Sequence, residues 1–302
     1  MKDLRFQIFS RSIKKIWNGI IIGILIIIFG GCGREWEERH VSYHAPNWTS
    51  DGRIIFFEEI WIQRLKEGID GPIVIKETQE FTLYEVDNRG VDYEEIGEVC
   101  NSERGFFSIE GSSSAGEYVV FGLSGIGNND NEIWVIKRDG TGLQKVGEGQ
   151  NPDFSPDASK IVYEKPGEGI WIMDRDGSND HQIIADPDAK YPAWSPDDTL
   201  IAYGEYSTHI ANLEGNSIRE YSSWWFRDWG PLGSNMVMAT NPYGLTVTIN
   251  FISEVIDTIS VFVTYESGSG YKWSPDGNAF IGYDGNWFVI NRDGTGKWYL
   301  RP

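Results

Sequence analysis

Histidine, cysteine and clustered carboxylates are the side chains from which metal and nucleophilic chemistry is usually built, and the first two are scarce here. Of 302 residues, four are His (His40, His44, His181, His209) and two are Cys (Cys32, Cys100). No two of the histidines are spaced to put both imidazoles on one metal. Asp174-Arg175-Asp176-Gly177-Ser178-Asn179-Asp180 has the look of a calcium loop, but Gly falls at the fourth position and Ala185 stands where the bidentate Glu belongs. It reads as a hairpin turn, and Asn128-Asn129-Asp130-Asn131 reads as a loop. No Gly-x-Ser-x-Gly elbow occurs, and no Gly-rich phosphate cradle precedes a helix. These absences give the expectation of a protein that is not an enzyme, with no catalytic residue, no metal and no cofactor. What the chain does have is aromatic surface: 13 Trp, 14 Tyr and 15 Phe. Trp61 lies in a segment without counterpart elsewhere in the chain. Trp224-Trp225-Phe226 precedes Trp229 with more aromatic area than one strand needs. Trp61, Trp224 and Trp225 are therefore the candidate binding surface, with burial between strands as the plainer role for large aromatics.

The elements that must position these residues are short Val/Ile/Tyr/Trp runs between Gly/Asp/Asn/Ser clusters, which is the texture of β structure. Four segments repeat: Ala45-Pro46-Asn47-Trp48-Thr49-Ser50-Asp51-Gly52, Asn151-Pro152-Asp153-Phe154-Ser155-Pro156-Asp157-Ala158, Tyr191-Pro192-Ala193-Trp194-Ser195-Pro196-Asp197-Asp198 and Gly270-Tyr271-Lys272-Trp273-Ser274-Pro275-Asp276-Gly277. Each is an aromatic followed by a tight turn. Pro presets φ, Asp bonds the backbone ahead of it, and Gly accepts φ > 0. Seven and nine positions after the aromatic comes an alternating pair, such as Ile161 and Tyr163. Weaker copies are anchored at Trp229, followed by Met236 and Met238, and at Ser112, followed by Val119 and Phe121. A third apolar strand then leads to Arg-Asp-Gly turns at Arg138, Arg175 and Arg292, and a short fourth strand follows. Six copies spaced near the 40 to 50 residue period of propeller blades predict an all-β, six-bladed β-propeller of four-stranded antiparallel blades. Blade 1 carries an insertion, residues 58–79, in which Ile60-Trp61-Ile62 and Ile73-Val74-Ile75 flank a Gly-containing turn; a lengthened, projecting hairpin is expected there.

The Pro-x-Trp-Ser-Pro-Asp turn, the Ile-Ala-Tyr strand and Ile-Trp-Ile-Met-Asp-Arg-Asp-Gly together resemble the WD-like repeat of the TolB propeller family, over residues 45–300. The resemblance implies the fold and is silent on the task, because propellers serve many unrelated ones. About a dozen residues separate Cys32 from the first repeat, too few for the α/β domain that precedes the propeller of TolB. The N-terminus resembles a bacterial lipoprotein signal peptide: Lys2, Arg5, Arg11, Lys14 and Lys15, an apolar stretch from Ile20 to Phe29, then Gly30-Gly31-Cys32. Its apolar core is too short for an ordinary membrane span. The resemblance implies residues 1–31 as the leader, Cys32 as the lipidated residue, 32–44 as a tether and 45–302 as the propeller. Cys100 then lacks a disulfide partner and reads as a buried apolar residue.

The chain carries a net charge of −19, and removing the cationic leader makes the remainder more acidic still. Such a surface repels phosphate backbones, so nucleic acid is not an expected partner. The expectation is a lipid-anchored propeller of the bacterial envelope, facing the periplasm or exterior, that binds or scaffolds a protein. The alternatives are a glycan-binding module, with Trp224 and Trp225 as stacking platforms, and a small-molecule lyase or hydrolase working in the central channel.

Overall fold

The Ser-Pro-Asp turns close as their side chains require. Ser155 Oγ accepts the Lys160 N–H at 2.9 Å and donates to Asp157 at 2.7 Å, while Asp157 accepts the Ser159 N–H at 2.9 Å. The same bonds recur at Ser195/Asp197 and Ser274/Asp276, and Thr49 with Asp51 reproduces the hydroxyl–carboxylate part of them. In the Arg-Asp-Gly turns, Asp139, Asp176 and Asp293 each accept from the residue two positions on. Asp174–Asp180 is thus one of these hairpin turns, closed by Asp174 N–H to Ser178 O at 2.8 Å.

The computed structural model describes residues 26–28, 35–68, 71–101, 107–125, 131–258 and 271–300; Cys32 and most of residues 1–31, expected to be a leader, lie outside them. Every regular element described is a β-strand, and the strands form six antiparallel sheets. Blade 1 is β2 (Glu35–Trp48), β3 (Ile54–Gly68), β4 (Gly71–Val86) and β5 (Tyr93–Asn101), with a three-residue β1 (Ile26–Ile28) laid on the far end of β2. Blade 2 is β6 (Phe107–Ala115) to β9 (Gln144–Glu148), and blade 3 is β10 (Gln150–Phe154) to β13 (His181–Ile184). Blade 4 is β14 (Ala193–Trp194) to β17 (Ser217–Ser222), blade 5 is β18 (Trp225–Trp229) to β21 (Ile256–Thr258), and blade 6 is β22 (Lys272–Trp273) to β25 (Trp298–Tyr299). Each innermost strand (β2, β6, β10, β14, β18, β22) touches the innermost strand of both neighbours, so the ring is closed around one channel.

The repeat aromatics Trp48, Phe154, Trp194, Trp229 and Trp273 are all buried at equivalent places. Two details of the alignment change. In blade 2 the equivalent position is Ser114, not Ser112: Ser113 Oγ accepts the Phe154 N–H of blade 3, as Asp153 of blade 3 accepts the Trp194 N–H of blade 4. The turn there is only Gly116-Glu117, two residues that shift the count. In blade 5 the turn is one residue longer, so Trp229 pairs with Val237 rather than Met236; in blade 1 it is one shorter, and Trp48 pairs with Ile54.

Each blade interface is filled by its own apolar cluster, for example Ile55, Phe57, Leu83 and Phe121 between blades 1 and 2. Among the described residues the last interface closes the ring without a shared strand. Trp48, Ile54, Phe56 and Val86 of blade 1 pack against Ile281, Val289 and Leu300 of blade 6. Three indole N–H groups bridge the seam: Trp48 to Lys272 O (3.3 Å), Trp287 to Tyr43 O (2.9 Å) and Trp298 to Asn88 O (3.1 Å). Residues 35–44 therefore do not hang as a tether or add an outer strand to blade 6. They extend β2, which pairs with β3 from Glu35↔Lys66 inward.

The insertion is the expected hairpin, with β3 and β4 paired out to Gly68↔Gly71. Its third strand, the outer half of β2, makes it a three-stranded arm.

Candidate functional site

All innermost strands begin at the same end of the channel, and the arm of blade 1 rises from that end. Most of these strands bulge just before the repeat aromatic. In four blades the residue three before the aromatic position has φ > 0: Ala45 (46°), Gly111 (80°), Asn151 (49°) and Tyr191 (55°). The bulge re-aims the strand, a common device beside sites. At Tyr191 it directs the backbone N–H to the Glu164 carboxylate at 3.3 Å, which Asn151 Nδ2 also reaches at 3.0 Å. Burial raises the Glu164 carboxyl above its ordinary value against these two bonds.

In blade 5 the bulged residue is Arg227. It is half-buried, with its guanidinium 5.5 Å from the Trp225 ring centroid, and Trp225 in turn meets Tyr206 edge-on at 5.8 Å. Burial lowers the Arg227 pKa, opposed by the phenols of Tyr271 and Tyr191.

In blades 3, 5 and 6 the residue just before the aromatic is charged: Asp153, Asp228 and Lys272. Asp228 Oδ2 accepts the Trp273 N–H at 2.7 Å, and Lys272 Nζ lies 3.5 Å from Asp228 Oδ1. Lys272 also acts on Asp153, three blades away across the ring. Asp228 and Lys272 keep 17% and 27% of their side-chain surface, because they face the channel rather than a blade interface. Burial pushes Asp228 up to about 6, Lys272 and the Trp273 N–H opposing it and Asp153 adding to it. Burial likewise raises Asp153. For Lys272 burial works downward, but Asp228 and Asp153 outweigh it and the amine is raised. The three charges form a plug.

On the arm, Ser42, His44 and Glu59 meet at hydrogen-bond distance. The same His44 Nε2 faces Ser42 Oγ (3.0 Å) and Glu59 Oε2 (2.7 Å), and Ser42 donates to that same oxygen (2.8 Å). No imidazole nitrogen stands in line between carboxylate and hydroxyl, as a nucleophile relay needs. Burial would raise Glu59, but bonds from His44, Gln79 and Ser42 hold it below its ordinary value. Gln79 also donates to Phe107 O (2.8 Å) and accepts the Phe107 N–H (2.8 Å), pinning the arm's base to blade 2. Beyond this base the arm carries Ile73, Val74 and Ile75, exposed by 55%, 45% and 47%. Among the described residues no strand pairs with the outer edge of β4 before Glu80↔Asn101.

The three candidate tryptophans fall in different places. Trp61 is half-buried on the arm, paired with His40 and Gln79. Trp224 packs on the core between blades 4 and 5. Trp225 stands at the channel mouth. Trp61 is two blades from the other two. Cys100 is buried. The channel residues Asp153, Arg227, Asp228 and Lys272 were not among the sequence candidates, although the position before each repeat aromatic, polar in five of six blades, marks Asp153, Asp228 and Lys272.

No family model matches the sequence, and no curated protein matches it either. Solved structures do. An oligogalacturonate lyase in complex with manganese is 11% identical, with a TM-score of 0.51, over 87% of this chain and 93% of that one. The nidogen/laminin complex gives 8% identity and a TM-score of 0.56 over 87% of this chain and 94% of that one. TolB from Acinetobacter baumannii matches at 13% identity over 88% of this chain but 58% of that one, with a TM-score of 0.40 that adds nothing to the repeat motifs. These likenesses show a β-propeller. They also correct the expectation of a protein that is not an enzyme: a fold shared along nearly the whole length of a lyase is one that carries catalysis, so missing sequence motifs exclude nothing.

Proposed function

We propose that this protein is a recognition propeller of the bacterial envelope, lipid-anchored through Cys32, whose arm takes up an extended segment of a partner protein. The carrying observation is the edge of β4 at residues 72–78, which no strand covers among the described residues and where a β-branched run is exposed on a strand already paired on its other side. An unpaired edge with apolar side chains templates strand addition: backbone bonds supply affinity and alternate side chains supply selectivity. The arm's base is tied to blade 2 through Gln79, which makes it a rigid presenter.

A photo-crosslinking residue at Val74, compared with one at the exposed Tyr243 of blade 5, tests this in cells. Adducts to one protein are expected from position 74 and not from 243. Ile75→Pro should abolish them with unchanged melting; adducts that survive Pro, or equal yield from both positions, overturn the reading. Anchoring is checked separately by Cys32→Ser, which should abolish acylation and processing of the leader.

A further inference from the structure

We propose that the channel mouth is a binding site for a small carboxylate, gripped by Arg227 against Trp225. Arg227 occupies the bulge of β18, between Phe226 and Asp228. Its Nε is buried without an acceptor, and among the described residues the guanidinium has no ion pair and no hydrogen bond. That is costly to leave unmet in a chain with 45 carboxylates to draw on. Four acids of blades 3 to 5 are engaged elsewhere. Asp228, its neighbour in sequence, is turned to Lys272 and the Trp273 N–H, Asp153 to the Trp194 N–H, Glu164 to Asn151 and the Tyr191 N–H, and Glu205 to Lys190. None of them contributes to the electrostatics of Arg227.

The geometry suits a planar anion. A guanidinium fork matches a carboxylate through two parallel N–H bonds, and half-burial strengthens them because little water competes. Trp225, with Tyr206 set against it, gives a ring face beside the cation on which the body of the ligand can lie. The inference does not rest on the arm: the ligand is a small molecule, and the residues are on blades 4 and 5.

The test is thermal melting of the full chain with sodium benzoate, glucuronate, neutral glucose or inorganic phosphate, on the parent and on Arg227→Met and Arg227→Lys. At least one carboxylate should raise the parent melting temperature in a saturable way. Glucose should not, Arg227→Met should lose the shift, and Arg227→Lys should bind at least tenfold more weakly. Without ligand, Arg227→Met should melt no lower than the parent. The preferred carboxylate separates an aromatic acid from a sugar acid. A parent that responds to no carboxylate, a response kept in Arg227→Met, a response to phosphate alone, or a large loss of stability in Arg227→Met would each overturn the proposal. Crosslinking from the arm is unaffected by any of these variants, so the two readings fail separately.

Discussion

Arg138, at the seam of blades 1 and 2, and Arg227, at the channel mouth, are both cations drawn partly out of water, and their company differs completely. Arg138 forks onto Glu85 through Nε (2.7 Å) and Nη2 (2.8 Å), and reaches Asp51 at 3.1 Å. Arg53 takes the other side of Glu85. The bonds from Glu85 lead among the influences that raise the Arg138 pKa, against burial. Arg227 has rings around it and its pKa is lowered. A seam that only has to hold two blades together satisfies its charges internally; a charge left unsatisfied at a channel mouth is available to something that arrives.

The largest effect should come from the seam. Glu85→Ala leaves Arg138 and Arg53 facing each other with their shared acceptor gone, and should cost about 3–5 kcal/mol in denaturant unfolding. A loss below about 1 kcal/mol would erase the contrast between the two arginines. The plug gives the next largest. With Asp228 at about 6, above its ordinary 3.8, the folded chain holds this proton more tightly than the unfolded one. Its contribution to stability therefore falls as pH rises from about 4 to about 6 and is level above that, by roughly 2–3 kcal/mol in all. Asp228→Asn keeps an acceptor for the Trp273 N–H and should remove this decline, seen as the difference between the two pH–stability curves. Equal slopes for both would mean that the carboxyl titrates normally. The smallest effect belongs to the arm: Val74→Lys on its exposed edge should change stability by less than about 0.5 kcal/mol while removing the partner adducts.

The repeat aromatics and their Ser-Pro-Asp turns were legible because local chemistry fixes them: a hydroxyl, a ring of fixed φ and a short carboxylate close the same turn wherever they occur. The arm was legible too, as an insertion into a known period. Blade 2 was misaligned by two residues because its turn, Gly116-Glu117, has none of that chemistry and its aromatic is replaced by Ser114. The channel cluster was missed for a different reason. Asp153, Asp228 and Lys272 are distant in sequence, on strands of blades 3, 5 and 6, and only closure of the ring brings them to one axis. Arg227 is conspicuous solely for the partner it lacks, which no linear pattern records.

Because the ring closes by indoles and apolar packing rather than by an exchanged strand, every blade is an uninterrupted stretch of chain. Each blade's hydrogen bonds can be complete as soon as its own residues are available, in order from blade 1 to blade 6, with loop closures that are short throughout. Only one long-range event is left for the end, the docking of blade 6 on blade 1, with Trp48 bonding Lys272 and Trp287 and Trp298 bonding Tyr43 and Asn88. A chain emerging from its N-terminus can thus assemble as it appears, without waiting for its last strand to rescue its first.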